Sequence, residues 1–127
     1  MVYMKVLCVE KDRKNLKLLM TACENMPQID ETRGFTRTRN VVKYLESNAA
    51  DIVIMDIDMP GMNGTTVASK LRKEYPALSM IFVSANEKYA VDAFAMHISG
   101  FLLKPIDKDK LNLEMEHALS KNLQGVI

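Results

Sequence analysis

A doubly wound α/β domain, with five strands alternating with five helices, is what this sequence predicts, and three observations carry it. Short runs rich in Val and Ile alternate with longer segments whose apolar residues recur at spacings of three and four. The runs are continuously apolar, as strands of a parallel sheet are when helices cover both faces. Gly, Pro and Asn collect between segments, where the chain must turn.

The elements follow in order. A first strand is predicted over Lys5–Glu10 (KVLCVE), then a helix whose apolar stripe is Leu16, Leu19, Cys23 and Met26. A second strand, with a weaker apolar pattern, covers Asp30–Phe35, and Val41, Val42 and Leu45 mark the second helix. The third strand is Ile52–Asp56 (IVIMD), followed by the turn signals Pro60-Gly61 and Asn63-Gly64. Val67, Leu71 and Tyr75 form the third helical stripe, which Pro76 ends. Met80–Ser84 (MIFVS) is the fourth strand, and Val91, Phe94, Ala95 and Ile98 make the fourth stripe. Gly100–Leu103 is the fifth strand, cut off by Pro105, and Leu111, Met115, Ala118 and Leu119 define the last helix. Residues 1–122 are read as one domain and residues 123–127 as a short tail, within the usual size of a single domain.

Bulk chemistry excludes several classes. Seventeen basic against sixteen acidic residues leave a net charge of +1, too little for a domain that binds nucleic acid by itself. Cys8 and Cys23 are too few for a disulfide scaffold and fit a reduced, cytoplasmic setting. The first residues carry no cationic leader, and no apolar run approaches the ~18 residues that span a bilayer, so export and membrane insertion are not expected. The ten methionines have no His or Cys partners at ligand spacing and are read as core filler.

In an open α/β sheet, ligands bind outside the carboxyl ends of the strands. Here those ends carry Glu10-Lys11-Asp12, Asp56, Ser84 and Lys104-Pro105. Acids, a hydroxyl and an ammonium converging on one crevice are the parts needed for phosphate chemistry. Asp56 is the candidate nucleophile, able to accept a phosphoryl group as an acyl phosphate. Lys104 supplies a fixed positive charge and Ser84 a hydrogen bond to a phosphoryl oxygen. Glu10 and Asp56 offer oxygen ligands to Mg²⁺, a cation that takes carboxylates and water.

Three strings carry a family resemblance: Asp51-Ile52-Val53-Ile54-Met55-Asp56-Ile57-Asp58-Met59-Pro60-Gly61-Met62-Asn63-Gly64, Val83-Ser84-Ala85 and Phe101-Leu102-Leu103-Lys104-Pro105. Over nearly its whole length the chain resembles a bacterial response-regulator receiver domain. The resemblance implies a flavodoxin-like sheet in the order 2-1-3-4-5. It implies phosphoryl transfer from a histidine kinase phosphohistidine, or a small phosphodonor, to Asp56, by self-catalysed chemistry in a signalling protein rather than an enzyme. It further implies the backbone carbonyl of Asp58 as a third Mg²⁺ ligand and a cis Lys104–Pro105 bond. Ser84 matches the family's switch hydroxyl and Phe101 its switch aromatic. Phosphorylation would then reshape the face made by the fourth helix, fifth strand and fifth helix, for a homodimer or a downstream effector domain or protein. The segment Tyr89–His97 is similar to the fourth helix of receivers that precede LytTR-type DNA-binding domains.

One position departs from the pattern. The family's two adjacent acids after the first strand read Glu10 and Lys11 here, so an ammonium replaces the carboxylate that ligates Mg²⁺ directly, and weaker Mg²⁺ binding is expected. Two arrangements remain open: Asp12 turns into the gap, or the Lys11 ammonium itself compensates Asp56. The alternative function is a pseudo-receiver that keeps the fold and acts by protein contact alone.

Other motifs have blander readings. Asp56 and Asp58 also spell the Asp-x-Asp of haloacid-dehalogenase-type phosphatases, but that fold needs its motif on the first strand and a longer chain. His97 and His117 lack metal partners at useful spacing. Arg33, Arg37, Arg39 and Lys43 are read as a solvated helix face.

Overall fold

The structure, a computed structural model, describes residues 4–59 and 63–126. Its elements are β1 (Met4–Val9), α1 (Arg13–Glu24), β2 (Ile29–Phe35), α2 (Thr38–Ser47), β3 (Ile52–Asp56), α3 (Gly64–Glu74), β4 (Ser79–Ser84), α4 (Tyr89–Ala95), β5 (Gly100–Leu103) and α5 (Lys108–Val126). All strand pairings are parallel and the order is β2-β1-β3-β4-β5. This is the predicted doubly wound sheet, with β3 and β5 at their predicted bounds. Glu10 stands one residue beyond β1, and α5 continues through residues 123–126, which the sequence reading set apart as a tail. The predicted turn at Pro60-Gly61 lies outside the described residues.

Two apolar layers hold the sheet. Val6, Cys8, Ile54, Ile81 and Val83 face Leu19 and Cys23 of α1 and Leu111, Met115 and Ala118 of α5. On the other face, Leu7, Val9, Val53, Met55 and Phe82 pack with Val41 of α2 and Val67, Ala68 and Leu71 of α3. The three central strands are therefore buried on both faces, and each large side chain removed from water contributes about 1.5–3 kcal/mol. β2 is an edge strand with no fully buried residue, the physical reason for its weak apolar pattern.

The fourth helix corrects the sequence reading. Of α4, only Ala93 is buried, while Val91 and Phe94 are 72% and 85% exposed. The helix lasts seven residues because His97 turns into the left-handed region at φ 56° and the Ile98 N–H bonds back to the Ala93 carbonyl. Ile98 thus leaves the stripe it was predicted to share, and the stripe faces solvent. Arg33 also differs from its predicted place on a helix face: it lies on β2, 2.8 Å from Glu31, with its guanidinium over the Tyr44 ring.

Predicted turn residues become helix caps. Asn63 Oδ1 accepts from the Thr65 and Thr66 amides at the start of α3, and Gly64 lies against the β3–α3 connection. A Cβ at Gly64 would stand 2.7 Å from Ile57 Cα, main chain that cannot yield cheaply. Gly64→Ala is expected to lower stability by about 1–3 kcal/mol, read as an earlier urea midpoint at unchanged slope.

Candidate functional site

The register of the sheet assembles the site. Val9 pairs with Met55 across β1 and β3, so Glu10 and Asp56, one step further on, emerge side by side at the carboxyl ends. β1 is also where the chain reverses its direction of sheet growth, the crevice in which such folds bind ligands. Ser84 ends β4, and the Lys104 amide bonds to the Ser84 carbonyl at 2.8 Å, which starts Lys104 out from β5 towards the same crevice. The Lys104–Pro105 bond is cis.

Asp56 is fully buried and anchored on both oxygens: Oδ1 accepts from the Asp58 amide at 2.9 Å, and Oδ2 meets the Lys104 ammonium at 2.9 Å. Burial alone would lower the Lys104 pKa, but the hydrogen bond and charge of Asp56, with Glu10 and Asp58 behind it, hold the ammonium above its ordinary range. Glu10 is the least satisfied group. Its Oε1 accepts from the Asp12 amide at 3.2 Å, while its Oε2 is buried without a hydrogen-bond partner. Desolvation first, then the neighbouring Asp56 charge, push the Glu10 carboxyl up to about 7.

The residues after β1 take separate paths. The Asp12 carboxylate caps α1, accepting from the Lys14 amide at 2.8 Å and the Asn15 amide at 3.4 Å. Lys11 is exposed and forms no ion pair among the described residues. Neither Asp12 in the gap nor Lys11 on Asp56 is therefore the arrangement found, because the cap employs Asp12 and Lys104 already meets Asp56. Among the described residues no three His, Cys, Asp or Glu side chains converge as a metal cluster. An orphaned carboxylate oxygen beside a second buried carboxylate is a fit for a hard cation, held by two acids rather than three.

Asp58 brings an unexpected feature. Its side chain accepts from the Ser84 hydroxyl at 2.7 Å and from the Ala85 amide at 2.7 Å, and lies 3.5 Å from the Lys104 ammonium. Burial would raise the Asp58 carboxyl, but these donors outweigh it and hold the pKa below the ordinary value. The Ser84 oxygen in turn accepts from the Asn86 amide at 3.0 Å. Phe101 is half-buried against the layer that contains Phe82, its neighbour across β4 and β5.

The family model for the response regulator receiver domain matches residues 6–116. The chain belongs to this family. It is 29% identical over 132 aligned positions to the sensory transduction protein LytR of Staphylococcus epidermidis, covering 98% of this chain and 51% of that protein. It is 38% identical over 74 positions to LytT of Oceanobacillus iheyensis, covering 57% of this chain and 30% of that protein. The chain thus spans about half or less of the length of these curated relatives. Among solved structures, the response regulatory domain of MrkE from Klebsiella pneumoniae superimposes with a TM-score of 0.87 at 23% identity, over 95% of this chain and 99% of that one. The RcsB receiver of Salmonella enterica, solved with the phosphomimetic BeF3−, gives 0.82 at 22% identity, over 94% and 89%. These likenesses show the receiver fold, with the order 2-1-3-4-5 that the resemblance implied. No helix among the described residues is long and apolar enough to cross a membrane.

Two features of this receiver escaped sequence reasoning. An Asp placed just before a helical stripe is the usual sign of an N-cap, so the role of Asp12 was legible. The grip of the Asp58 side chain on Ser84 and Ala85 joins residues 26 and 27 positions apart, and no local pattern announces it.

The raised Glu10 carboxyl makes stability depend on pH. Between the ordinary carboxylate range and about pH 7, the unfolded chain has released this proton and the folded chain still holds it, so stability in metal-free buffer falls as pH rises. Glu10→Gln is expected to flatten that slope, which denaturant midpoints at pH 5 and pH 8 will show.

Proposed function

We propose that this receiver accepts a phosphoryl group on Asp56 from a histidine kinase and, in response, changes the face formed by α4, β5 and α5. The observation that carries the reading is the Asp56–Lys104 pair: a buried carboxylate at the end of β3 with an ammonium 2.9 Å from one oxygen. The Asp56 oxygen attacks phosphorus and the bond from phosphorus to the phosphohistidine nitrogen breaks. The imidazole leaves with the electron pair and takes up a proton. Lys104 stays in place to neutralise the transferred group, and Ser84 offers its hydroxyl to a phosphoryl oxygen.

Glu10 and Asp56, with the Asp58 main-chain carbonyl that the family uses, would hold Mg²⁺. When bound, the ion neutralises phosphoryl charge. With Lys11 in place of an acid and Asp12 committed to its cap, the affinity is lower than three acids would give. That same observation favours the second reading, a receiver that signals by protein contact without phosphorylation.

The exposed apolar side chains Val91 and Phe94 of α4, Leu103 of β5 and Leu113 of α5 lie on the elements proposed to switch. They suit a homodimer contact or a downstream effector domain, with Ser84 and Phe101 as the switch pair. The setting proposed is the cytoplasm, and nucleic-acid contact by this domain is not part of the reading.

Incubation with acetyl phosphate and Mg²⁺ is expected to add one base-labile phosphoryl group, seen by intact mass, to the wild type and none to Asp56→Asn. No adduct at any accessible Mg²⁺ concentration would favour the contact-only reading. Lys11→Asp is expected to tighten Mg²⁺ binding by about tenfold or more, a difference of about 1.4 kcal/mol, whereas Asp12→Ala leaves it unchanged. A titration unmoved by Lys11→Asp would reject the role given to that residue.

A further inference from the structure

The donors nearest the nucleophile are already in use. The Ser84 hydroxyl and the Ala85 amide each reach an Asp58 oxygen at 2.7 Å, and the Lys104 ammonium stands 3.5 Å from Asp58 while it holds Asp56 at 2.9 Å. Two neutral donors and one cation therefore converge on a single carboxylate, one ammonium away from Asp56. A carboxylate and a phosphoryl group make the same demand, since each presents negatively charged oxygens that accept short hydrogen bonds. A phosphoryl group on Asp56 brings three such oxygens into this corner, and its nearest donors are those that Asp58 holds.

We propose that the Asp58 carboxylate is a built-in stand-in for the phosphoryl group, filling its anion seat in the resting protein and leaving when Asp56 is modified. The inference rests on the phosphoacceptor reading of Asp56 and adds a residue that sets how readily the acceptor is used. The arrangement is self-consistent without phosphate: Ser84 is turned to Asp58, and its oxygen is fixed from behind by the Asn86 amide at 3.0 Å. The side chain also has somewhere to go. An open groove of about 330 Å³ beside Asp58, bordered by Asn63, Thr65 and Tyr89, lies on the side of the β3–α3 connection. Resting anion and incoming phosphoryl group thus compete for one set of donors, and the apparent ease of modification is reduced by the fraction of molecules in which the seat is filled.

Removal of negative charge near the site would by itself help an anionic phosphodonor, so the test separates charge from occupancy. Asp58→Asn removes the charge but still fills the seat, its one oxygen able to accept from the Ala85 amide and its NH2 able to donate to the Ser84 oxygen, whereas Asp58→Ala empties it. Initial rates of Asp56 modification by acetyl phosphate, followed by intact mass on the full chain, are expected to rise in the order wild type, Asp58→Asn, Asp58→Ala. The alanine variant is expected to exceed the wild type by fivefold or more. Equal rates for the two variants would assign the effect to charge and overturn the proposal, as would a rate for Asp58→Ala no higher than that of the wild type.

A second readout needs no phosphoryl transfer. In the unmodified protein the Ala85 amide proton is expected to resonate at low field and exchange slowly, and Asp58→Ala should move it upfield and speed its exchange by tenfold or more. An Ala85 amide that ignores the substitution would overturn the proposal. If no variant accepts a phosphoryl group, the phosphoacceptor reading fails, and the Ala85 amide alone decides whether Asp58 fills the seat.

Discussion

Two carboxylates placed side by side out of water are the constraint on which the rest of this site depends. The β1–β3 register puts Glu10 and Asp56 next to one another, and both side chains are fully buried. Such a pair resists full ionisation, because each charge loses solvation and repels the other. The molecule meets the cost with the Lys104 ammonium, delivered from β5, and with the raised pKa of Glu10. A fold optimised for stability alone would place apolar side chains here. The strain is local and concentrated at the strand ends, where a ligand of opposite charge would relieve it.

Much of this was legible in the sequence because the signals were strong and local. A continuous apolar run located β3 to the residue, since a central strand is covered on both faces, and Pro105 fixed the end of the edge strand β5. The groups at the strand ends followed from that placement. The register then decides that Glu10 neighbours Asp56, and Ser84 and Lys104 adjoin because β4 and β5 pair. The failures share a physical cause. The α4 stripe had helical spacing but no surface to cover, because the chain turns at His97 after seven helical residues. Periodicity reports that a helix has an apolar side, not that this side finds a partner in the same chain. The Asp58 grip on Ser84 and Ala85 is likewise a tertiary event, set by the β3–β4 pairing and invisible to spacing.

The exposed stripe on α4 and the crowded site at Asp56 are linked through the short connection after β4. Ser84 and Ala85 are held by Asp58, and the Asn86 side chain accepts from the Lys88 amide, so the entry to α4 is fastened to the β3–α3 connection. At the far end Arg72 of α3 donates to the carbonyls of Leu78 and His97, at 3.1 and 3.4 Å, which ties the exit from α4 to the base of β4. Between these two fastenings the helix contributes one buried side chain, Ala93.

Elements with few buried apolar contacts open at low free-energy cost, whereas α1 and α5, each with several side chains in the core, do not. A change in what Ser84 and Ala85 hold would therefore be felt first by α4, the element with least to lose by moving. Its solvent-facing Val91 and Phe94 would move with it relative to Leu103 and Leu113, which stay with the sheet and α5. An exchange of anions of a few ångströms at the strand ends can in this way alter the shape of an apolar surface without disturbing either core layer. The same weak anchoring that makes α4 a poor buried helix suits it to report on the site.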